Sequence, residues 1–207
     1  MEDFRTLLRV VKEPQYFIEK HFHIVSHKEG DIIPKLNQEQ QRVLSVYQPS
    51  YLDSKFVSYG MNRQSGKSTL IAGLTLHQSL FNDNQGILVL SPNPRMSESL
   101  RNVLHYGWEH LPEILKLKIV RDTKTLIEFA NGSVIHFRDI DRAGCYLRGS
   151  SFNTIFIQDR ELYKKENWIE FVYYVVPVFC STTKVLDLYS NSDLIATNNL
   201  EDLKTWS

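Results

Sequence analysis

Cysteine is scarce in this chain, and a long apolar run is absent. The 207 residues contain two cysteines, Cys145 and Cys180, which lie far apart and form neither a CxxC pair nor a metal-ligand spacing. This usage favours a reduced, cytosolic setting with buried or free thiols over a disulfide framework. The N-terminus does not resemble a signal peptide, and no apolar stretch approaches the roughly 18 residues that span a bilayer. We therefore expect no membrane association.

An excess of charge of either sign is also lacking. The 24 basic and 24 acidic residues give a formal net charge of zero, so no global positive field indicates nucleic acid. DNA binding would need a local patch instead. The candidate patch is a loop carrying Arg138, Arg142 and Arg148, although Asp139 and Asp141 dilute its charge. A solvated loop is the alternative interpretation of the same residues.

The chain does have enough apolar residues for a core and a regular alternation of elements. Hydrophobic residues make up 42% of it and aromatic residues 12%, which indicates one globular domain and not disorder. Helical spacing extends over residues 3–29, where Pro14 is expected to start a second helix, and Asn37 is expected to cap a helix from Gln38 to about Tyr47. Further on, buried strands are predicted at residues 56–59, 87–90, 154–157 and 184–189. Short antiparallel strands are predicted at 119–120, 126–129 and 133–138. Helices are predicted from the loop after the first of these strands to about residue 81, at 96–110 and at 168–179. This alternation predicts an α/β fold with a mostly parallel sheet flanked by helices.

The most informative stretch is Met-Asn-Arg-Gln-Ser-Gly-Lys-Ser-Thr at residues 61–69, between a predicted strand and a predicted helix. A strand, a tight loop ending in Gly-Lys-Ser and a helix form the phosphate-binding P-loop, in which backbone amides and the helix dipole attract phosphate. Lys67 would reach the β- and γ-phosphates of ATP, and the Ser68 hydroxyl would sit on Mg²⁺. The predicted nucleotide-binding residues of the loop are Gln64, Ser65, Gly66, Lys67, Ser68 and Thr69.

The loop departs from the usual spacing, because Met61 occupies the position of the first glycine and Gly60 comes one residue too early. An ordinary polar turn between a strand and a helix is therefore the alternative. With the loop placed, we expect residues 1–50 to form a helical segment packed on the nucleotide site and residues 51–207 to form the P-loop core, within a single domain.

The order of further motifs carries a family resemblance. Arg63-Gln64 precedes the P-loop glycine, Asn131-Gly132 marks a hairpin, and Arg148-Gly149 stands shortly before the second core strand. This order resembles that of the N-terminal ATPase domain of the large terminase subunit of tailed phages, and is closest to the T-even type. The resemblance extends from about Pro14 to Asn191.

The resemblance implies roles for individual residues. Gln40 falls where the family's adenine-reading glutamine lies, which suits an amide that both donates and accepts, although a surface glutamine is the alternative. Arg63 falls on the position of a proposed in-cis arginine finger, which would neutralise charge on the transferring phosphoryl group. A solvated loop arginine is the alternative there. Ser190 and Asn191 fall near the motif that senses the γ-phosphate, although Asp187, Leu188 and Tyr189 stand where the family prefers apolar residues and hydroxyls.

The largest departure from the family lies at the end of the second core strand, where the family has Asp followed by Glu. Counting from Arg148-Gly149 puts Gln158 at the metal-binding Asp position and Asp159 at the catalytic Glu position. A shift by one residue would make Asp159 the metal carboxylate and leave Arg160 at the base. We expect Gln158 to bind Mg²⁺ through a water molecule and Asp159 to act as the base, while Glu161 faces elsewhere. Gln158-Asp159 thus forms a Walker B motif that lacks the family's Asp-Glu pair. This departure predicts either slow ATP hydrolysis or nucleotide binding without hydrolysis.

Function and partners follow from the resemblance alone. It implies an ATPase domain of a viral DNA-packaging motor that uses ATP and Mg²⁺, acts on double-stranded DNA, and meets the portal protein and the small terminase subunit. It further implies a ring-forming homo-oligomer on the portal, in the host cytoplasm at the procapsid. No carboxylate cluster of a two-metal nuclease follows the last predicted strand, so no nuclease activity is expected. The alternatives are a hydrolysis-impaired regulatory or assembly protein, and a helicase-type ATPase, which should carry a second motor domain.

Overall fold

A seven-stranded, mostly parallel sheet organises the chain, and the computed structural model describes residues 4–26, 28–47, 56–141, 151–174 and 183–190. Its strands lie in the order β3-β9-β8-β4-β7-β6-β5. They are β3 (Phe56–Gly60), β4 (Gly86–Ser91), β5 (Ile119–Thr123), β6 (Leu126–Phe129), β7 (Val134–Asp139), β8 (Thr154–Gln158) and β9 (Lys184–Tyr189). The pairs from β3 through β7 are parallel, and β5 and β6 add an antiparallel edge. The predicted α/β class with a mostly parallel sheet is confirmed.

The central strands are apolar on both faces, as a sheet covered by helices requires. All five residues of β8 are buried, and β4 is buried from Ile87 to Ser91. The edge meander is held by the predicted Asn131-Gly132 turn, where Gly132 has a φ of +79° and its amide donates to the Phe129 carbonyl at 3.0 Å. Pairing of Leu90 with Ile157 and of Gly60 with Tyr189 brings the carboxyl ends of the parallel strands to one edge.

The helices of the described chain cover both faces of the sheet. They are α1 (Phe4–Lys12), α2 (Pro14–His21), α3 (Gln38–Tyr47), α4 (Lys67–Phe81), α5 (Pro94–Glu109) and α6 (Lys165–Tyr174). Helix α2 packs on α4 and α5 through two glycines: a Cβ added at Gly107 would lie 2.2 Å from the Phe22 ring, and one at Gly73 would lie 2.7 Å from Ile18. Helix α6 packs on the opposite face, where Trp168 and Phe171 are buried with Ile155 and Ile157.

The helical prediction for residues 3–29 is only partly correct. Pro14 starts the second helix as predicted, but that helix ends at His21. A small antiparallel hairpin of β1 (Ile24–Ser26) and β2 (Gly30–Ile32) follows, so the predicted helix over residues 22–29 is wrong. The β-branched pair Ile24-Val25 favours a strand, and Gly30 supplies a φ of +75° at the turn.

Several positions considered in the sequence fall outside the described residues, namely Arg142, Cys145, Arg148, Gly149, Cys180 and Asn191. Residues 175–179 of the helix predicted at 168–179 lie outside them too, and the described part of this helix begins earlier, at Lys165. Within the described ranges, no helix is both long and apolar enough to cross a membrane. The division into a segment 1–50 and a core 51–207 stays a prediction.

Candidate functional site

A cavity of about 580 Å³ opens at the carboxyl edge of the sheet, between the loop that follows β3 and the turn that follows β8. Ligands of open α/β sheets bind at this edge. Strand β9 lies between β3 and β8, so Ser190, which follows β9, faces the same space. The lining residues are Arg63, Gln64, Gly66, Lys67, Ser68, Thr69, Asp159, Glu161, Leu162 and Ser190.

The loop before α4 is shaped by left-handed backbone at Gln64 (φ 61°) and Gly66 (φ 83°). Gly66 is the N-cap of α4, and no side chain caps the helix there. The amides of its first turn are therefore left for a ligand, and the dipole of this 15-residue helix favours an anion. The Ser65 hydroxyl is buried without a hydrogen-bond partner, which adds a further polar group to the loop. These features fit a phosphate group.

The start of α3 clamps this loop. The Asn37 side chain accepts a hydrogen bond from the Gln40 amide at 3.0 Å, and Gln40 Oε1 accepts one from the Asn37 amide at 2.9 Å, which is a reciprocal capping box. Gln40 Nε2 donates to the Gly66 carbonyl at 3.0 Å, and Asn37 Nδ2 donates to the Ser65 carbonyl at 2.8 Å. Glu39 accepts hydrogen bonds from the backbone and side chain of Asn62.

Gln40 therefore lies beside the P-loop with its amide already engaged and its side chain buried. Reading an adenine edge would require it to exchange these hydrogen bonds for bonds to the base. The predicted N-cap at Asn37 is confirmed, whereas the capping box was missed. The Asn-x-x-Gln spacing at residues 37–40 is the sequence signal that would have found it.

The Lys67 ammonium is held across the cavity. It lies 3.1 Å from Asp159 Oδ1 and donates to the Ser190 hydroxyl at 2.5 Å. Ser190 Oγ in turn donates to Asp159 Oδ1 at 3.4 Å. The side chains of Lys67 and Asp159 are only 7% and 12% exposed, so this ion pair is largely removed from solvent. The structure thus brings the P-loop lysine and the predicted base together.

Gln158 lies against Ser68, the predicted Mg²⁺ ligand. Its Nε2 donates to Ser68 Oγ at 2.8 Å and to Asp159 Oδ2 at 3.2 Å, while its Oε1 is buried without a partner. Across the described ranges, no group of three or more His, Cys, Asp or Glu side chains could hold a metal by itself. Mg²⁺ at NTP sites is held largely by phosphates and water, so the Ser68 hydroxyl, with the polar Gln158 amide beside it, fits the ion.

Arg160 is anchored below the cavity and not in it. Its guanidinium lies 2.8 Å from Asp187 Oδ2 and within 5.5 Å of the Trp168 and Tyr189 ring centroids. Burial raises the pKa of Asp187 to about 6, against the opposing effects of Arg160 and of the Ser58 hydroxyl, which donates to it at 2.8 Å. The shifted register, with Arg160 at the position of the base, has no geometric support.

Two exposed side chains complete the lining. Arg63 makes no side-chain hydrogen bond or ion pair with the described part of the chain, so its guanidinium is available to a ligand. Glu161 also lines the cavity, and its Oε1 accepts a hydrogen bond from the Ser190 amide at 2.9 Å. The expectation that Glu161 faces elsewhere is wrong. The reason is that a short 3-10 turn, Arg160–Leu162, follows Asp159 and returns this side chain to the site.

Known structures share this architecture, although no protein-family model matches the sequence. The large terminase of bacteriophage HK97 superposes with a TM-score of 0.68 at 14% identity over 86% of this chain. The large terminase ATPase domain of Thermus phage P74-26 gives 0.57 at 13% identity over 77% of this chain and 67% of that one. The large terminase of a thermophilic bacteriophage, solved in complex with ADP, gives 0.50 at 11% identity over 74% of this chain and 38% of that one.

This chain spans only 37% of the length of the HK97 protein. At these identities the similarity concerns the fold alone. The resemblance noted in the sequence is confirmed at that level: this chain has the fold of the ATPase domain of phage large terminases.

Proposed function

We propose that this chain is a terminase-like P-loop ATPase domain of a viral DNA-packaging motor, which binds Mg-ATP and couples its hydrolysis to DNA translocation. One observation carries the proposal: the uncapped N-terminus of α4 and the Lys67 ammonium face one cavity at the carboxyl edge of the sheet. The fold shared with large terminases, one of them an ADP complex, supports the same conclusion.

Phosphate binding would use groups that are already in place. The amides of residues 64–69 would surround the β-phosphate, and Lys67 would exchange Asp159 and Ser190 for phosphate oxygens. Arg63, exposed and without a partner in the described chain, would neutralise charge on the γ-phosphoryl group. Ser68, with Gln158 through water, would hold Mg²⁺, which supplies charge neutralisation for the phosphates.

The coupling of ATP hydrolysis to DNA translocation and the partners of this chain are proposed from the shared fold. Double-stranded DNA, the portal protein and the small terminase subunit are the proposed partners, and a homo-oligomeric ring on the portal is the proposed assembly. The setting would be the procapsid in the host cytoplasm.

A second candidate function is a hydrolysis-impaired terminase-like protein that binds nucleotide or a packaging partner for a regulatory or assembly role. The observation that favours it is the neutral Gln158 beside Ser68, where a carboxylate would supply negative charge to the metal. Nucleotide binding without turnover is the property that distinguishes it from the motor.

ATP binding and turnover with Mg²⁺, compared between the intact chain and Lys67→Ala, test the proposal. We expect turnover to fall by at least about 100-fold in the variant, because the ammonium stabilises charge on the transferring phosphoryl group. Lys164→Ala is the matched control, since Lys164 is an exposed lysine that does not line the cavity. Binding without turnover in the intact chain would support the regulatory candidate, and absence of nucleotide binding would contradict both.

A further inference from the structure

We propose that Glu161, and not Asp159, is the general base that activates water for attack on the γ-phosphate. This inference rests on the proposed function and concerns the same cavity.

Asp159 has no free oxygen. Its Oδ1 contacts Lys67 Nζ at 3.1 Å and Ser190 Oγ at 3.4 Å, and its Oδ2 accepts from Gln158 Nε2 at 3.2 Å. Even when Lys67 exchanges Asp159 for phosphate, Oδ1 still accepts from Ser190 Oγ and Oδ2 from Gln158 Nε2, so neither oxygen is open to a water molecule. Its geometry suits a different task, which is to hold the Lys67 ammonium over the P-loop until phosphate arrives.

Glu161 is the other carboxylate that lines the cavity. Its side chain is exposed, and the Ser190 amide donates to Oε1 at 2.9 Å, which fixes one oxygen. Oε2 has no hydrogen-bond partner among the residues that the structure describes. A carboxylate held at one oxygen and open at the other has the arrangement that a base needs in order to take a proton from a bound water.

Arg160 explains why two carboxylates so close in sequence both reach this space. Asp159 adopts left-handed backbone (φ 50°, ψ 49°) at the start of the 3-10 turn. The Arg160 side chain turns away from the cavity and is buried against Asp187, Trp168 and Tyr189. With the middle residue anchored on the opposite side, the flanking residues Asp159 and Glu161 both line the cavity.

The proposed step is the hydrolysis of ATP to ADP and inorganic phosphate. The water oxygen forms a bond to the γ-phosphorus, and the bond between that phosphorus and the β,γ-bridging oxygen breaks, its electron pair leaving with ADP. The proton of the water passes to Glu161 Oε2 and is later released to solvent. No oxidant, reductant or further reactant is needed. The hydrogen bond from the Ser190 amide ties this base to the end of β9, beside the lysine that binds phosphate.

Glu161→Gln is the variant that tests this inference, and Glu166→Gln is its matched control. The carboxamide introduced by Glu161→Gln would still accept the hydrogen bond from the Ser190 amide but would not take a proton. We expect turnover to fall at least about 100-fold in Glu161→Gln, with the affinity for a fluorescent ATP analogue unchanged. Glu166 is exposed at the start of α6 and does not line the cavity, so its variant should match the wild type in both measurements.

Further variants and measurements distinguish failure of the base assignment from failure of the proposed function. Formate should restore part of the turnover of Glu161→Ala, because a small carboxylate can replace the missing base in the space left by the side chain. Asp159→Asn should keep more turnover than Glu161→Gln, because Asp159 does not take the proton in the proposed step. Wild-type turnover in Glu161→Gln would overturn the base assignment alone. Nucleotide binding without turnover in the intact chain would overturn both the base assignment and the hydrolysis in the proposed function, in favour of the regulatory candidate. Absence of nucleotide binding by the intact chain would overturn the base assignment and the proposed function together.

Discussion

At the scale of single residues, Gly66 shows how the P-loop is built. Its φ of +83° lies in the left-handed region, and a Cβ there would lie 2.6 Å from Gln40 Nε2. Two constraints therefore meet at this position, a backbone that favours glycine and a side chain that clamps the loop from α3. The signature Gly-Lys-Ser predicted a phosphate-binding loop here, but it predicted neither the left-handed backbone at Gly66 nor the contact with Gln40.

Gly66→Ala should destabilise the protein more than Gly30→Ala does. Both glycines have positive φ, and an alanine in this region costs roughly 1–2 kcal/mol, but a Cβ at Gly30 meets nothing within 4 Å. The additional loss of unfolding free energy in Gly66→Ala over that in Gly30→Ala, measured by chemical denaturation, then reports the displacement of Gln40. The double variant Gln40→Ala/Gly66→Ala should lack the contact between the new Cβ and Gln40, and keep only the strain of the left-handed backbone at residue 66. Equal losses of stability in the two single variants would contradict the clamp.

Site residues were predictable from the sequence where a short motif fixes their geometry. The Gly-Lys-Ser spacing placed Lys67 and Ser68, and the structure does bring both to the cavity with Asp159. Glu161 was not predictable in the same way, because its orientation depends on a left-handed residue at Asp159 and on the burial of Arg160 against Asp187. No local sequence pattern indicates the contact between Arg160 and Asp187, because these residues lie far apart in sequence.

At the scale of elements, α1 is fastened to α4 by a buried histidine. His77 Nε2 lies 3.0 Å from the Val10 carbonyl, and the ring packs against Phe17 and Phe81 with centroids 5.4 and 5.0 Å away. Burial lowers the pKa of His77 to about 4, so the ring is neutral in the folded protein at neutral pH. Helical periodicity predicted the apolar face of these helices but not this polar contact between them.

The stability of the fold should depend on pH through His77. Its pKa is about 4 in the folded state against 6.5 for the free side chain, so the unfolded chain binds the extra proton between these values. The contribution of His77 to stability is therefore complete above pH 6.5 and falls by about 3 kcal/mol as the pH drops to 4, whereas Asp187, whose pKa burial raises to about 6, contributes in the opposite direction over this range. His77→Phe should lose this dependence in denaturation experiments, while costing about 1–3 kcal/mol at neutral pH because the Val10 carbonyl is left unpaired. A variant that keeps the wild-type slope would contradict the assignment.

The β1–β2 hairpin shows where reasoning about elements from sequence fails. Apolar residues at helical spacing continued through Phe22 and Val25, and this periodicity extended the predicted helix too far. Tertiary contacts decide the outcome, since Phe22 ends the helix by packing against Gly107 of α5. Longer and more strongly apolar elements, such as β4 and β8, were predicted within one or two residues of their observed bounds.

At the scale of the whole molecule, the strand order creates the site. Insertion of β9 between β3 and β8 sets Ser190 between the P-loop and Asp159, so three segments distant in sequence share one hydrogen-bonded cluster with Lys67. The class of the fold followed from the alternation of strands and helices. The order of the strands did not, because alternation is compatible with several arrangements of one parallel sheet.

A structure determined with Mg²⁺ and a non-hydrolysable ATP analogue is the most direct measurement of the central claim. We predict that the triphosphate lies against the amides of residues 64–69, and that Lys67 Nζ leaves Asp159 and Ser190 to contact the phosphates. If the analogue at saturating concentration binds elsewhere, or if the Lys67–Asp159 ion pair persists beneath an empty P-loop, the account of this site is contradicted.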